Sequence, residues 1–287
     1  MKSLKSSELI LNDDGSIYHL NLKPEDIAPM IITVGDPNRV EMISDCFDTV
    51  ELKKSSREFV THTGTYKGHR ISVISTGIGA DNIDIVFNEL DALVNIDFKT
   101  RTVKEQLSSL KIIRIGTSGS IDEHIDVDQF VVSEAAIGFD QAIHFYQVED
   151  HGFIDDFRLK TGLKNLSPYI SKADSSLLSW FETTDFHRGL TATFVGFYGP
   201  QGRALRLPSK TPNFIDQLSR YHYKDLNVTN LEMETSAIYA FSTLMGHQAL
   251  SLNCILAQRS KGSFSKDPQK SIQKLIEKTL SIIASNL

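Results

Sequence analysis

Ile71-Ser72-Val73-Ile74-Ser75-Thr76-Gly77 is a run of apolar and β-branched residues stopped by a glycine, and behind it Ile83, Val86, Phe87, Leu90 and Val94 recur at helical spacing. A short apolar run ending in a turn residue reads as a buried strand, and the three-to-four spacing after it as an amphipathic helix. The same alternation extends in both directions. Met30-Ile31-Ile32-Thr33-Val34 is a strand stopped by Gly35-Asp36-Pro37, and Ile112-Ile113-Arg114-Ile115, Phe130-Val131-Val132, Leu190 to Val195 and Leu250 to Leu256 are further strands. Ala237, Ile238, Phe241, Leu244 and Met245 mark one face of a helix. The C-terminal helix takes Asp267 as N-cap, Pro268 in its first turn, and an apolar stripe of Ile272, Leu275, Ile276, Leu280 and Ile283. Strands alternating with helices predict an α/β protein, a three-layer α/β/α sandwich around a central mixed sheet. The polar stretch 95–110 is expected to be an insertion without strands, and 146–190 is weakly patterned and helical in part.

Composition bounds the function. A chain of 287 residues that is 40% hydrophobic can bury one large core, and no linker divides it, so a single domain over 1–287 is expected. A net charge of −6 argues against nucleic acid as a partner. Cys46 and Cys254 form no C-x-x-C pair and suggest neither a disulfide framework nor a zinc site. Met1 to Asp14 is polar, without a signal segment, and no apolar run approaches membrane-spanning length. The expectation is a cytoplasmic protein with no membrane partner.

Several strand ends carry groups that a plain core would not want. Gly35 lets the backbone approach an anion closely, and Arg39 four residues on can grip its oxygens. Arg114 interrupts an apolar strand and, once buried, needs an anion or a dense set of acceptors. Gly116-Thr117-Ser118-Gly119 follows it as an expected hydroxyl-bearing turn, at the kind of strand end where open α/β sheets bind ligands. Arg57 is a third candidate; for each arginine an ion pair with a carboxylate is the alternative. Gly77-Ile78-Gly79-Ala80-Asp81-Asn82 begins like a dinucleotide fingerprint but lacks the third glycine, and reads as a tight turn near a ligand.

The loop Val195-Gly196-Phe197-Tyr198-Gly199-Pro200-Gln201-Gly202-Arg203 combines a ring face, an amide and a guanidinium, a set suited to a flat, oxygen-edged ring such as uracil; a solvated surface loop is the alternative. In Asn230-Leu231-Glu232-Met233-Glu234-Thr235-Ser236-Ala237, two carboxylates flank a methionine where a helix begins. They suit either a helix N-terminus or a ribose diol. Arg259, after the last strand, would sit near the base.

Taken together, Gly35-Asp36-Pro37-x-Arg39, Arg57-Glu58-Phe59, Ser75-Thr76-Gly77-Ile78-Gly79, Ile113 to Gly119, Gln201-Gly202-Arg203 and Glu232-Met233-Glu234 resemble, in this order, the uridine phosphorylases of the nucleoside phosphorylase superfamily. The resemblance runs from about His19 to Arg259. It implies that Gly35, Arg39, Arg114 and Thr117 bind phosphate, with Arg57 reaching in from a neighbouring subunit. Glu232, Met233 and Glu234 would hold ribose with His19 of the partner chain, and Phe197, Gln201, Arg203 and Arg259 the base. Arg114, Gln201, Arg203 and Glu234 would carry the chemistry.

The implied reaction is reversible phosphorolysis of uridine to uracil and ribose 1-phosphate, with inorganic phosphate as co-substrate and no cofactor or catalytic metal. Purine-cleaving relatives use an aspartate after the last strand, where this chain has Gln258-Arg259-Ser260-Lys261-Gly262. Some bacterial relatives hold a monovalent cation between subunits with a glutamate like Glu58 and a serine; Asn82 stands in the serine's place here, which counts against the cation. The minimal unit implied is a homodimer with shared active sites, and a hexamer is the bacterial variant. The rival readings are a purine nucleoside phosphorylase or a nucleosidase of the same fold, and a non-catalytic nucleoside sensor.

Overall fold

The computed structural model describes residues 3–147 and 152–287. Met1 and Lys2 of the polar N-terminal stretch, and 148–151 of the weakly patterned stretch 146–190, lie outside the described residues. In chain order the first half comprises β1 (Met30–Val34), α1 (Pro37–Ser44), β2 (Thr49–Ser56), β3 (Phe59–Tyr66), β4 (His69–Ser75), α2 (Ala80–Asn95), β5 (Ile96–Asp97), β6 (Thr102–Val103), β7 (Lys111–Ser120) and β8 (Phe130–Gly138). The second half comprises α3 (Phe153–Thr161), β9 (Tyr169–Lys172), α4 (Ser175–Trp180), β10 (Phe186–Thr193), α5 (Phe214–Ser219), β11 (His222–Tyr223), β12 (Leu226–Glu232), α6 (Thr235–Met245), β13 (Gln248–Gln258), β14 (Ser263–Phe264) and α7 (Pro268–Asn286).

The mixed central sheet runs β11-β12-β10-β8-β13-β7-β1-β4-β3-β2. Strand β12 also pairs antiparallel with β7, Asn230 opposite Ser120 and Leu231 opposite Gly119, so one end of the sheet curls closed while β1-β4-β3-β2 stay open. Alternation along the strands divides the core. Ile31, Ile74 and Ile112 pack with α2 and α6 on one face. Ile32, Val73 and Ile113 pack with α1, α4 and α7 on the other. Both faces are therefore covered, which is why these strands read as continuous apolar runs. All five residues of the predicted α7 stripe are buried, each contributing about 1.5–3 kcal/mol. Asp267 caps α7 by accepting from the Lys270 N–H at 3.1 Å. Among the described residues no helix is long and apolar enough to cross a membrane.

Three local expectations are corrected. Gly116 to Gly119 is not a turn: β7 continues to Ser120, held by parallel pairing with β13 along its whole length. Strand β10 ends at Thr193, two residues before Val195. The stretch 95–110 carries a small hairpin, β5 against β6. The β2–β3 hairpin, whose polar outer strand gave no apolar signal, turns at Arg57 with a left-handed φ of 56°.

Candidate active site

A cleft of about 730 Å³ opens where the chain leaves β1 at Gly35 and β4 at Gly77, beside Thr117 of β7 and Ala257 of β13. The ends of parallel strands leave backbone groups and side chains unpaired there, so ligands bind in such crevices.

Helix α1 begins in this cleft. Asp36 caps it by accepting from the Asn38 N–H at 3.0 Å, and the first turn carries Arg39 inward. Arg39 is 8% exposed. Its Nη1 donates to the Ile115 carbonyl at 3.1 Å, and no carboxylate stands within ion-pair distance among the described residues. Burial, and then the charge of Arg114, push its pKa below the usual guanidinium value. A buried guanidinium so placed could take an anion from outside the described residues.

Arg114 differs. It is buried in β7 as expected, but Nη2 donates to Glu234 at 2.6 Å and faces Glu232 at 3.1 Å. Nη1 donates to Asn253 Oδ1 at 2.9 Å. Its guanidinium lies over Gly116, where a Cβ would overlap it, so the position admits only glycine without a shift. Two carboxylates share this one cation. Arg114 is held above its ordinary pKa by Glu232 and Glu234, which outweigh burial. Glu234 is raised by burial, with Glu232 adding to it against the pull of Arg114. Arg114 thus satisfies the ion-pair alternative while still lining the cleft.

Glu232 ends β12, and Glu234 is the N-cap residue of α6. Glu232 accepts the N–H groups of Glu234 and Thr235 and the Thr193 hydroxyl at 2.6 Å, so it serves the helix N-terminus as well as the cleft. Glu234 accepts the Gly79 N–H at 2.8 Å. Gly79 has φ 104°, a conformation few other residues tolerate, which ties the Gly77-to-Asn82 turn to the carboxylate. Met233 lines the same wall. Glu58 and Asn82 both flank Gly77 and line the cleft.

The loop after β10 supplies the other wall. Gln201 sits in a short 3₁₀ turn and is 2% exposed. Its Oε1 accepts from Arg203 Nη1 at 2.7 Å. Arg203 also donates to the Phe197 carbonyl at 2.7 Å, and burial with the nearby Arg259 charge lowers its pKa to about 10. Arg259 is not among the residues that line the cleft; it donates to the Gln201 carbonyl at 3.0 Å and so holds that backbone.

His19 and Arg57 lie outside the cleft of their own chain. The Arg57 guanidinium sits 5.5 Å over the Tyr18 ring, and that ring meets His19 edge-on at 4.8 Å. His19 Nδ1 pairs with Glu89 Oε1 at 2.6 Å, while Glu89 also takes the His19 and Leu20 N–H groups. The two candidates therefore form one surface feature.

A buried polar layer beneath the cleft escaped the sequence reading. Thr193, Asn253, Ser251 and Thr235 join Arg114 and Glu232 through direct hydrogen bonds. Polar residues on alternate positions of the apolar run Leu250-Ser251-Leu252-Asn253 were the available signal.

Residues 29–286 match the family model of the phosphorylase superfamily. A uridine phosphorylase of Thermococcus kodakarensis is 30% identical over 282 residues, covering 97% of this chain and 91% of the relative. A purine nucleoside phosphorylase of Streptococcus suis is 30% identical over 241 residues, covering 83% of this chain and 84% of the relative. The crystal structure of a Trypanosoma brucei nucleoside phosphorylase described as showing uridine phosphorylase activity superposes with a TM-score of 0.87. It is 31% identical and covers 98% of this chain and 100% of that one.

Proposed function

The chain belongs to the phosphorylase superfamily, and from that premise we propose that it is an enzyme catalysing the reversible phosphorolysis of uridine to uracil and ribose 1-phosphate. The observation that carries the proposal is Arg39, a buried guanidinium without a carboxylate partner among the described residues, in the same cleft as the Gln201–Arg203 pair.

Phosphate takes the place of the missing counter-charge, held by Arg39, Arg114, Thr117 and the Gly35 backbone. Glu232 and Glu234 accept the ribose hydroxyls, with Met233 against the sugar. This fixes the phosphate oxygen at the anomeric carbon, so attack occurs within one assembled complex. As the glycosidic bond lengthens, the sugar gains positive charge near phosphate and carboxylates, and the base gains negative charge. Gln201 Nε2 and Arg203 donate to the oxygens of the departing base and stabilise that charge. No side-chain nucleophile is needed, and the reading includes no cofactor or catalytic metal.

The base edge favours the pyrimidine reading over the purine one. Uracil presents acceptor, donor, acceptor, which an amide and a guanidinium match. The last residue of β13, Gln258, turns its amide inward to the carbonyls of Asp122 and Ile125, Arg259 after it faces Gln201, and residues 258–262 contain no acid. We further read the chain as a single domain over 1–287 that works in the cytoplasm as a homodimer or larger ring. The paired surface feature of Arg57 and His19 supports the oligomer alone, since it would complete a neighbour's phosphate and ribose sites. Ultraviolet absorbance of a uridine mixture with and without phosphate tests the activity. Phosphate-dependent uracil release is the expected result; release without phosphate would make the protein a nucleosidase, and no release a binding protein.

A further inference from the structure

Phe197 looks at first like a stacking face for the base, yet one side of its ring is already taken. The Arg203 guanidinium carbon lies 3.8 Å from the Phe197 ring centroid, in van der Waals contact with the ring. The same guanidinium donates to the Phe197 carbonyl and to Gln201 Oε1, each at 2.7 Å. Arg259 then holds the Gln201 carbonyl at 3.0 Å. Phe197, Arg203 and Gln201 of the loop, with Arg259 from the end of β13, thus form one continuous series of contacts.

Resting on the uridine reading above, we propose that Phe197 is a positioning residue for base recognition: it acts through Arg203, which in turn locks the orientation of the Gln201 amide. A guanidinium carries only donors, so the amide atom facing it must be the oxygen. Gln201 is buried, and with Oε1 committed to Arg203, Nε2 is the end left to present to a ligand, with no protein partner among the described residues. One lone pair of Oε1 remains for a ring N–H. The site therefore accepts a ring bearing a carbonyl oxygen beside an N–H, and opposes one bearing an amine and a bare nitrogen. A cation over an aromatic face is attracted by the ring quadrupole, more strongly as water is removed. Arg203 is half-buried, and without the ring it would regain rotamers that release Oε1 and let the amide turn.

Two measurements test this. The first needs no activity: in the intact protein labelled at arginine nitrogen, the Arg203 Nε–H proton should show an upfield ring-current shift that disappears in Phe197→Leu and returns in Phe197→Tyr. A resonance unmoved by Phe197→Leu would overturn the contact. The second is a double-mutant cycle on the ratio of uridine to cytidine kcat/KM, using Phe197→Leu, Arg203→Met and the double variant. Phe197→Leu should narrow the ratio about 10-fold, Phe197→Tyr should restore it, and adding Phe197→Leu to Arg203→Met should change it no further. Independent effects, with uridine and cytidine weakened equally by Phe197→Leu, would mean that the ring stacks on the base directly. Failure of the wild-type protein to release uracil would defeat the uridine reading, while the resonance still decides the contact.

Discussion

Arg39 and Arg114 line the same cleft, and their replacement should move stability in opposite directions. Arg39→Met removes a buried charge that lacks a carboxylate partner among the described residues, and gives up one hydrogen bond, to the Ile115 carbonyl. Replacing buried charge by an apolar group of similar volume is commonly stabilising by about 1–4 kcal/mol, and a lost hydrogen bond costs about 1 kcal/mol. The net expectation for the ligand-free protein is no loss and a gain of up to about 3 kcal/mol, or a few degrees in Tm at about 2 °C per kcal/mol for a chain of this size. Arg114→Met strips the counter-charge from Glu232 and Glu234, both buried, and should cost about 3–5 kcal/mol.

Phosphate sharpens the contrast. Binding at 100 times Kd should stabilise the wild-type protein by about 2.7 kcal/mol, and Arg39→Met should abolish that increment together with phosphate-dependent turnover. Thermal unfolding of wild type and both variants, with and without phosphate, reads every quantity. If Arg39→Met were less stable than wild type without phosphate and still gained stability with it, the assignment of Arg39 as a free anion-binding charge would be refuted.

Base choice should rank uridine well above cytidine, with inosine hardly cleaved, because each mismatched buried polar group costs about 1–3 kcal/mol; Gln201→Ala should flatten the ranking, and equal rates on inosine and uridine would disprove it. Co-refolding Arg57→Ala with Gln201→Ala should recover activity, since a mixed dimer with shared sites has one site bearing both changes and one bearing neither; proven mixed dimers without recovery would put each site within one chain. Activity should fall on the acid side at a pH above the usual carboxylate range, because Glu234 must be ionised to accept a hydroxyl and its pKa is raised by burial. The sign for stability is opposite. A carboxyl raised in the folded state binds a proton more readily there than when unfolded, so its protonation adds stability as pH falls through the folded pKa. Parallel pH profiles of rate and Tm would therefore separate, and loss of both together would contradict the assignment.

Much of the fold was legible because its strands are buried on both faces. Met30 to Val34 and Ile112 to Ile115 announce themselves as apolar runs, and the stripe of α7 has the helical period. Thr49 to Ser56 gave no such signal, since its outer position leaves it solvated and polar, so the hairpin that carries Arg57 was invisible. Gly116 to Gly119 misled for a different reason. Glycine and hydroxyl residues signal turns locally, but here two neighbouring strands supply the hydrogen bonds and the glycine makes room for Arg114.

The site was legible as a set of residue types but not as a circuit. Arg114 was expected either at an anion or in an ion pair, and both descriptions meet in one side chain whose carboxylates lie 118 and 120 positions away. That pairing depends on β12 folding back to β7, a long-range closure that no local period encodes. Arg39 and Arg114 look alike as isolated arginines at strand ends. Only the distribution of buried carboxylates distinguishes them, leaving Arg39 without a carboxylate at ion-pair distance among the described residues. Arg114 instead is tied to Glu232 and Glu234, and would couple any anion arriving in the cleft to those two acids.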